Sequence, residues 1–310
     1  MTQTARPLSQ KHLTGIAPLD KADILALLDR ADEYAAALKA GNFYSGALKG
    51  KVIFTLFFED STRTRTSFEL AAKRLGAEVV NWNAQTSSLN KGETFRDTVE
   101  TLGAMKPDAV IIRHSEYGAP LSVAAMVECP VINAGDSWRE HPTQALLDAR
   151  MMREAKGDIA GLTVAIIGDI AHSRVASSNM ILLRKLGARV HIVAPDNLMP
   201  QKLPADGVQQ FSTLKDGLAG ADVVMTIRPQ KERMQSALID DAAYYRDFGL
   251  THDTLAYARP DAIVLDPGPF LRGLQISDEL ADDEARFYYK RQVEGGVPTR
   301  MAVFDLLLKG

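Results

Sequence analysis

Phe57-Phe58-Glu59-Asp60-Ser61-Thr62-Arg63-Thr64-Arg65-Thr66-Ser67-Phe68 is the stretch that decides how the rest of the chain is read. Just before it, Val52-Ile53-Phe54-Thr55-Leu56 is a short apolar run of the kind that forms buried parallel strands. Just after it, Phe68, Leu70, Ala71, Ala72 and Leu75 recur at helical spacing and stop at Gly76. Ser61 to Arg65 therefore occupies a strand-to-helix junction. The first turn of a helix offers unpaired backbone N–H groups and the positive end of the dipole, which suits an anion. Here that turn adds hydroxyls at Ser61, Thr62, Thr64 and Thr66 and guanidiniums at Arg63 and Arg65. Guanidinium forks hold a phosphate bidentately, which a lysine ammonium does not. A Ser/Thr N-cap followed by two solvated arginines would look the same locally. The rest of the chain has to decide.

Outward from this junction the pattern is regular. Toward the N-terminus, Asp20 reads as an N-cap for a helix carrying Ile24, Leu27, Leu28, Ala31 and Tyr34. Toward the C-terminus come a strand at 78–82, a polar loop at 83–92, a helix over about 94–105 and a strand at 109–113. A helix over about 119–128, a strand at 131–134, a turn at Gly135-Asp136 and a helix opening at His141-Pro142-Thr143-Gln144 follow, with Pro near the first helical position. This alternation predicts a parallel sheet with helices on both faces. After the polar junction Lys156 to Gly161 it restarts, with strands at 162–169, 189–194, 222–226 and 262–265 and a helix over about 174–186. A terminal helix is expected over Pro298 to Leu308. The fold class is α/β, with two doubly wound parallel-sheet domains. Their expected bounds are 1–150, joined by a returning C-terminal helix at about 296–310, and 151–295.

Composition narrows the function. The chain has 310 residues, 46% hydrophobic and 24% charged, with a formal net charge of -3. Such a balance gives no basic excess to suggest nucleic acid. One cysteine, Cys129, excludes an internal disulfide and fits a reducing cytosol. There is no apolar run of about 18 residues, and Met1 to Pro7 lacks the apolar region of a signal peptide, so a cytoplasmic protein that meets no membrane is expected. In open parallel sheets, ligands bind beyond the carboxyl ends of the strands. The residues expected there are Ser61 to Thr66, Ser87 to Lys91, Arg113 with His114, His141 with Gln144, Asp169 to Arg174, Arg228 with Gln230, and Asp266 to Pro269. They are rich in arginine and lack metal-ligand spacing, a G-x-G-x-x-G dinucleotide fingerprint and a P-loop. The set suits small, multiply charged anions handled without metal or cofactor.

At this point the motifs resemble a known family. Phe57 to Arg65, Lys91-Gly92-Glu93-Thr94, Arg113-His114, His141-Pro142-Thr143-Gln144, Gly168-Asp169 with Arg174, and Arg228-Pro229-Gln230-Lys231-Glu232-Arg233 stand in the order found in the carbamoyltransferases, over about Phe57 to Asp305. The second half resembles the aspartate-using branch. The Ser-Met-Gly stretch and cysteine-bearing loop of the ornithine branch are not in it. The resemblance implies carbamoyl transfer from carbamoyl phosphate to the amine of L-aspartate, in pyrimidine biosynthesis. It also implies roles. Ser61, Thr62, Arg63, Thr64 and Arg113 would hold the phosphate, and Thr64, Arg113 and His141 would donate to the carbonyl oxygen. Gln144 and the Pro267 carbonyl, with Gly268 beside it, would orient the carbamoyl amide. Arg174, Arg228 and Gln230 would grip the aspartate carboxylates. Lys91, with Ser87 or Ser88, would reach a neighbouring subunit's site, which implies a homotrimer, with regulatory or dihydroorotase-like chains as further partners. The catalytic set is then Arg63, Thr64, Lys91, Arg113 and His141.

Three departures stand out. Asp266 replaces the family's histidine, and at the mouth of an anion site it would repel substrate unless an arginine such as Arg272 pairs with it. Ser87 and Ser88 compete for one family serine. Glu294 to Arg300 departs from the usual Asn-Gly pattern. Two rivals stay open: a carbamoyltransferase for another amine, and a non-catalytic anion-binding paralogue or assembly subunit, which Asp266 alone favours.

Overall fold

The computed structural model describes residues 8–84, 87–231 and 240–309, with the side chains of Ser88 and Leu89 outside the description. The chain divides into two compact units, residues 1–150 with 293–310, and residues 151–292.

Unit 1 runs α1 (Lys21–Lys39), β1 (Val52–Phe57), α2 (Thr62–Arg74), β2 (Glu78–Asn83), α3 (Phe95–Ala104), β3 (Ala109–His114), α4 (Ala119–Met126), β4 (Val131–Asp136) and the start of α5 (Pro142–Lys156). Its sheet has four parallel strands in the order β2-β1-β3-β4. β1 is central and buried from Ile53 to Phe57, which is why its sequence reads as an unbroken apolar run rather than an alternation. α1 starts where expected, with Asp20 Oδ1 accepting the Asp23 N–H at 2.7 Å. α2 stops at Gly76, whose φ of 85° costs a glycine little. The expected turn at Gly135-Asp136 is instead the last part of β4: Asp136 pairs with His114, and its buried carboxylate takes Arg139 at 2.9 Å and the Gly118 N–H at 2.8 Å.

Unit 2 holds the rest of α5, then β5 (Thr163–Gly168), α6 (Arg174–Leu186), β6 (Arg189–Val193), β7 (Val208–Phe211), α7 (Leu214–Leu218), β8 (Val223–Ile227), α8 (Asp241–Phe248), α9 (His252–Leu255), β9 (Ile263–Leu265) and α10 (Asp278–Asp282). Its five strands are parallel in the order β7-β6-β5-β8-β9. β7 is an element that periodicity did not announce. It is a four-residue edge strand, Val-Gln-Gln-Phe, with its two glutamines exposed, too short and polar for a pattern to show.

The last helix, α11 (Tyr289–Leu308), begins nine residues before the expected Pro298, which lies inside it. Pro298 withholds the N–H that the Glu294 carbonyl would have received. Two neighbouring carbonyls gain side-chain donors: Thr299 Oγ1 to Gly295 at 2.8 Å and Arg300 Nη1 to Gly296 at 2.9 Å. Within unit 1, Phe304 of α11 meets Phe68 of α2 edge to face, ring centres 5.8 Å apart, both rings fully buried. Replacing such a ring by alanine costs about 3–5 kcal/mol. The C-terminal helix thus packs on the domain that holds the Ser61 junction.

Candidate active site

In unit 1 the expected residues collect at adjoining strand ends. Phe57 of β1 is opposite Arg113 of β3, and the Phe58 N–H donates to the Arg113 carbonyl at 2.9 Å. Ser61 takes the N-cap position of α2 with extended backbone, φ −163° and ψ 97°, but its hydroxyl makes no cap bond. The first-turn N–H groups keep their donor capacity. Thr62 and Arg63 are exposed and Thr64 is buried. The two arginines divide: Arg65 lies over the Phe57 ring, 5.0 Å from its centre, while Arg63 is open to solvent. Arg113 is half-buried; its Nε lies 3.4 Å from Glu59 Oε2 and its Nη1 donates to the Ala134 carbonyl at 3.3 Å. Glu59, unassigned by the sequence reading, sits in the opening stretch itself and counters the charge of Arg113.

His114 is an aromatic neighbour rather than a polar site group. Its ring centre is 4.6 Å from Phe58 and 5.1 Å from Phe95. Burial pulls its pKa below the ordinary 6.5, and Nδ1 accepts the Glu116 N–H at 2.9 Å, which defines the neutral tautomer. His141 and Gln144 are both buried at the start of α5, the Gln144 N–H donating to the His141 carbonyl at 3.0 Å. Gln144 Nε2 donates to Asp148 Oδ1 at 2.8 Å, which orients the amide and leaves Oε1 as its acceptor end. Asp148 was missed, although a Gln and an Asp four apart on a helix are a readable pair. In the loop beyond β2, Ser88–Lys91 form one 3₁₀ turn. Lys91 is exposed, and Ser87 Oγ donates to the Ala84 carbonyl at 2.8 Å.

In unit 2 the expected residues follow β5, β8 and β9, which lie side by side. Gly168 ends β5 with φ 117°, and a Cβ there would meet the Ile227 carbonyl at 1.9 Å, so only glycine lets these strand ends approach. Asp169 is wholly buried. Its Oδ1 takes the His172 N–H at 3.1 Å and lies 2.8 Å from His172 Nδ1, and its Oδ2 takes the Gln230 N–H at 2.8 Å. One carboxylate thus ties the loop before Arg174 to the loop of Arg228 and Gln230. Gln230 Nε2 donates to the Arg228 carbonyl at 3.1 Å, and Arg228 Nη1 to the Pro229 carbonyl at 3.2 Å. Arg174 is buried in the first turn of α6, beside the Ser173 N-cap. Glu232 and Arg233 lie outside the described residues, as do Met1 to Pro7.

Asp266 corrects an expectation. It is buried rather than at a mouth. Its oxygens accept from Thr226 Oγ1 and the Gly268 N–H, both at 2.6 Å, and from Gln275 Nε2. Arg272 is exposed and pairs instead with Asp278 at 3.3 Å and Asp282 at 2.6 Å. The carboxylate is met by these donors, and Arg272 is engaged elsewhere. Pro267 and Gly268 are half-buried on the turn just beyond.

Two family models match the chain. Residues 11–154 match the family model described as aspartate/ornithine carbamoyltransferase, carbamoyl-P binding domain, and residues 160–307 match the one described as the Asp/Orn binding domain. The chain belongs to the aspartate/ornithine carbamoyltransferase family. Among its members, the aspartate carbamoyltransferase catalytic subunit of Acidiphilium cryptum is 50% identical over 303 residues, covering 97% of each chain. The crystal structure of aspartate transcarbamoylase from Trypanosoma cruzi with carbamoyl aspartate and phosphate superposes with a TM-score of 0.87 at 33% identity, covering 99% of this chain and 100% of that one. Ornithine carbamoyltransferase from Pyrococcus furiosus gives 0.89 at 28% identity, covering 98% and 99%. The family fold therefore does not separate the two amine acceptors. Among the described residues, no helix is long and apolar enough to cross a membrane.

Proposed function

We propose that this chain transfers the carbamoyl group of carbamoyl phosphate to the amine of L-aspartate, giving N-carbamoyl-L-aspartate and phosphate, a step toward pyrimidines. The observation that carries the reading is the uncapped first turn of α2, with Arg63 exposed on it and Arg113 at the next strand end. It supports residues 1–150 as the carbamoyl phosphate domain. Ser61, Thr62, Arg63, Thr64 and Arg113 hold the phosphate. Residues 151–292 take aspartate through Arg174, Arg228 and Gln230. The half-identical relatives, named for aspartate, favour it over ornithine.

The aspartate amine, having lost a proton, attacks the carbamoyl carbon. A C–N bond forms as the carbonyl π pair moves onto oxygen; the C=O then re-forms, the C–O bond to phosphate breaks with its electron pair, and the extra proton of the attacking nitrogen leaves with the phosphate. Thr64, Arg113 and His141 donate to the developing oxyanion, and Arg63 with the α2 dipole balances charge on the leaving phosphate. Gln144 presents Oε1 because Asp148 occupies its NH₂, so it accepts from the carbamoyl amide. The Pro267 carbonyl, beside Gly268, accepts a second amide hydrogen.

Lys91, exposed on its 3₁₀ turn, is proposed to act in a neighbouring subunit of a cytoplasmic homotrimer, with one of Ser87 and Ser88 beside it. Regulatory or dihydroorotase-like chains would join through that trimer. The test is product formation by the purified chain with an amine panel. Carbamoyl aspartate from aspartate supports the reading, whereas turnover with ornithine and not aspartate would overturn it. Mixing inactive Arg63→Ala and Lys91→Ala chains should restore some activity if sites are shared.

A further inference from the structure

Thr64 and Phe68 lie four residues apart on one face of α2, both buried, while Thr62 and Arg63 of its first turn are exposed. A cation lies against the buried face. The Arg300 guanidinium of α11 sits over the Phe68 ring, 4.9 Å from its centre, and the residue is only 2% exposed. Its Nη1 donates to the Gly296 carbonyl at 2.9 Å, and among the described residues its buried Nε has no hydrogen-bond partner. Gly296 leaves the room for it, since a Cβ there would come within 2.9 Å of Nη1. A guanidinium held this deep loses much of its hydration and persists only where an opposite charge offsets the loss.

That charge is Asp148 on α5, in the same unit as Arg300. Its carboxylate is wholly buried, and Oδ1 accepts from Gln144 Nε2 at 2.8 Å. Burial pulls the Arg300 pKa down, to about 10, and the attraction of Asp148 pulls the other way, so Arg300 keeps its proton at neutral pH. Salt screens buried charges little. Without Arg300, the Asp148 charge would therefore act through the interior of unit 1 on an anion at the start of α2.

We propose that Arg300 is the counter-ion of Asp148 and keeps a buried negative charge from opposing the anion seated at the first turn of α2. The proposal rests on the phosphate reading of that turn and lies wholly within unit 1. Arg300 touches no ligand and acts through the charge of Asp148.

The test uses inorganic phosphate, titrated calorimetrically into the full chain at neutral pH and below each variant's melting temperature. The site counted is the one that Arg63→Ala abolishes. Arg300→Met leaves Asp148 uncancelled, so the phosphate Kd should rise by on the order of tenfold, the effect of one charge about 10 Å from an anion in a poorly screened interior. Asp148→Asn leaves Arg300 uncancelled, while the amide oxygen still accepts from Gln144, so Kd should fall several-fold. In the double variant neither charge remains, and Kd should return to within about threefold of wild type. A packing defect has no sign. It would weaken binding in both singles and persist in the double.

Singles that shift Kd in the same direction, or not at all, would overturn the counter-ion, and so would a double as weak as Arg300→Met. The double buries no charge at this place and should fold even where a single does not. The remaining variants then decide in the same terms, and an unfolded double also counts against the proposal. Wild-type chain that binds no phosphate would overturn the seat and the counter-ion together, whereas wild-type binding with unshifted variants overturns the counter-ion alone.

Discussion

The two units arrange polar groups in opposite ways. At the end of β1, unit 1 leaves backbone donors, Thr62 and Arg63 open, and a helix terminus supplies the field. At the ends of β5, β8 and β9, unit 2 turns its polar groups on one another. Asp169 fixes Gln230, Gln230 fixes the Arg228 carbonyl, and Asp266 fixes Gly268. A phosphate seat can be built from a helix start, because N–H vectors and dipole come with the helix. A seat made of loops must be held by buried carboxylates instead. The difference is between a helix start whose side chains stay open and loops whose proposed binding groups are held in place by buried carboxylates.

Breaking the open seat should have the largest effect. Arg63→Ala removes the exposed guanidinium without touching the core, and kcat should fall by about 10²–10³-fold, as when one transition-state donor is lost. Steady-state kinetics with an unchanged melting temperature checks it. Next comes the anchor of the loop-built seat. Asp169→Asn keeps the size of the side chain but exchanges an acceptor for a donor toward the Gln230 N–H or His172. KM for aspartate should rise by about 10-fold or more, with KM for carbamoyl phosphate little changed. Equal rises in both would erase the contrast between the units.

How far the sequence carried differs along the same line. The β1–α2 junction was legible because strand, cap and helix lie within one local window, from Val52 to Gly76. Asp266 was misread because its partners Thr226 and Gln292 are 40 and 26 residues away in sequence. A residue that is buried and bonded looks like a free charge until the sheet forms. α11 extends beyond its local pattern because Gly295, Gly296 and Pro298 all signal a break locally, whereas packing of Phe304 on Phe68 and the Thr299 and Arg300 side-chain bonds sustain the helix. Glu59, by contrast, lay in plain view. Only its pairing with Arg113 needed the β1–β3 register.

Two smaller effects sharpen the account of the open seat. Arg65→Ala should leave kcat within about threefold of wild type and cost about 0.5–1 kcal/mol of stability, the loss of a guanidinium stacked on Phe57. Urea melts and kinetics on one preparation separate it from Arg63→Ala. The smallest effect is a pH dependence. Burial depresses the His114 pKa in the folded chain below 6.5, so the unfolded chain binds the proton more readily. Stability associated with neutral His114 is present above pH 6.5 and is lost as pH falls through that value toward the depressed folded pKa. The drop in urea midpoint between pH 7.5 and pH 5.5 should shrink in His114→Phe; an unchanged drop would assign the dependence to other groups.

The most direct test of the division between the units is calorimetric titration of carbamoyl phosphate into the purified chain with no aspartate present. The account predicts binding by wild type and by Arg228→Ala, and none by Arg63→Ala. Loss of carbamoyl phosphate binding in Arg228→Ala, or its survival in Arg63→Ala, would contradict the assignment of the open seat to phosphate.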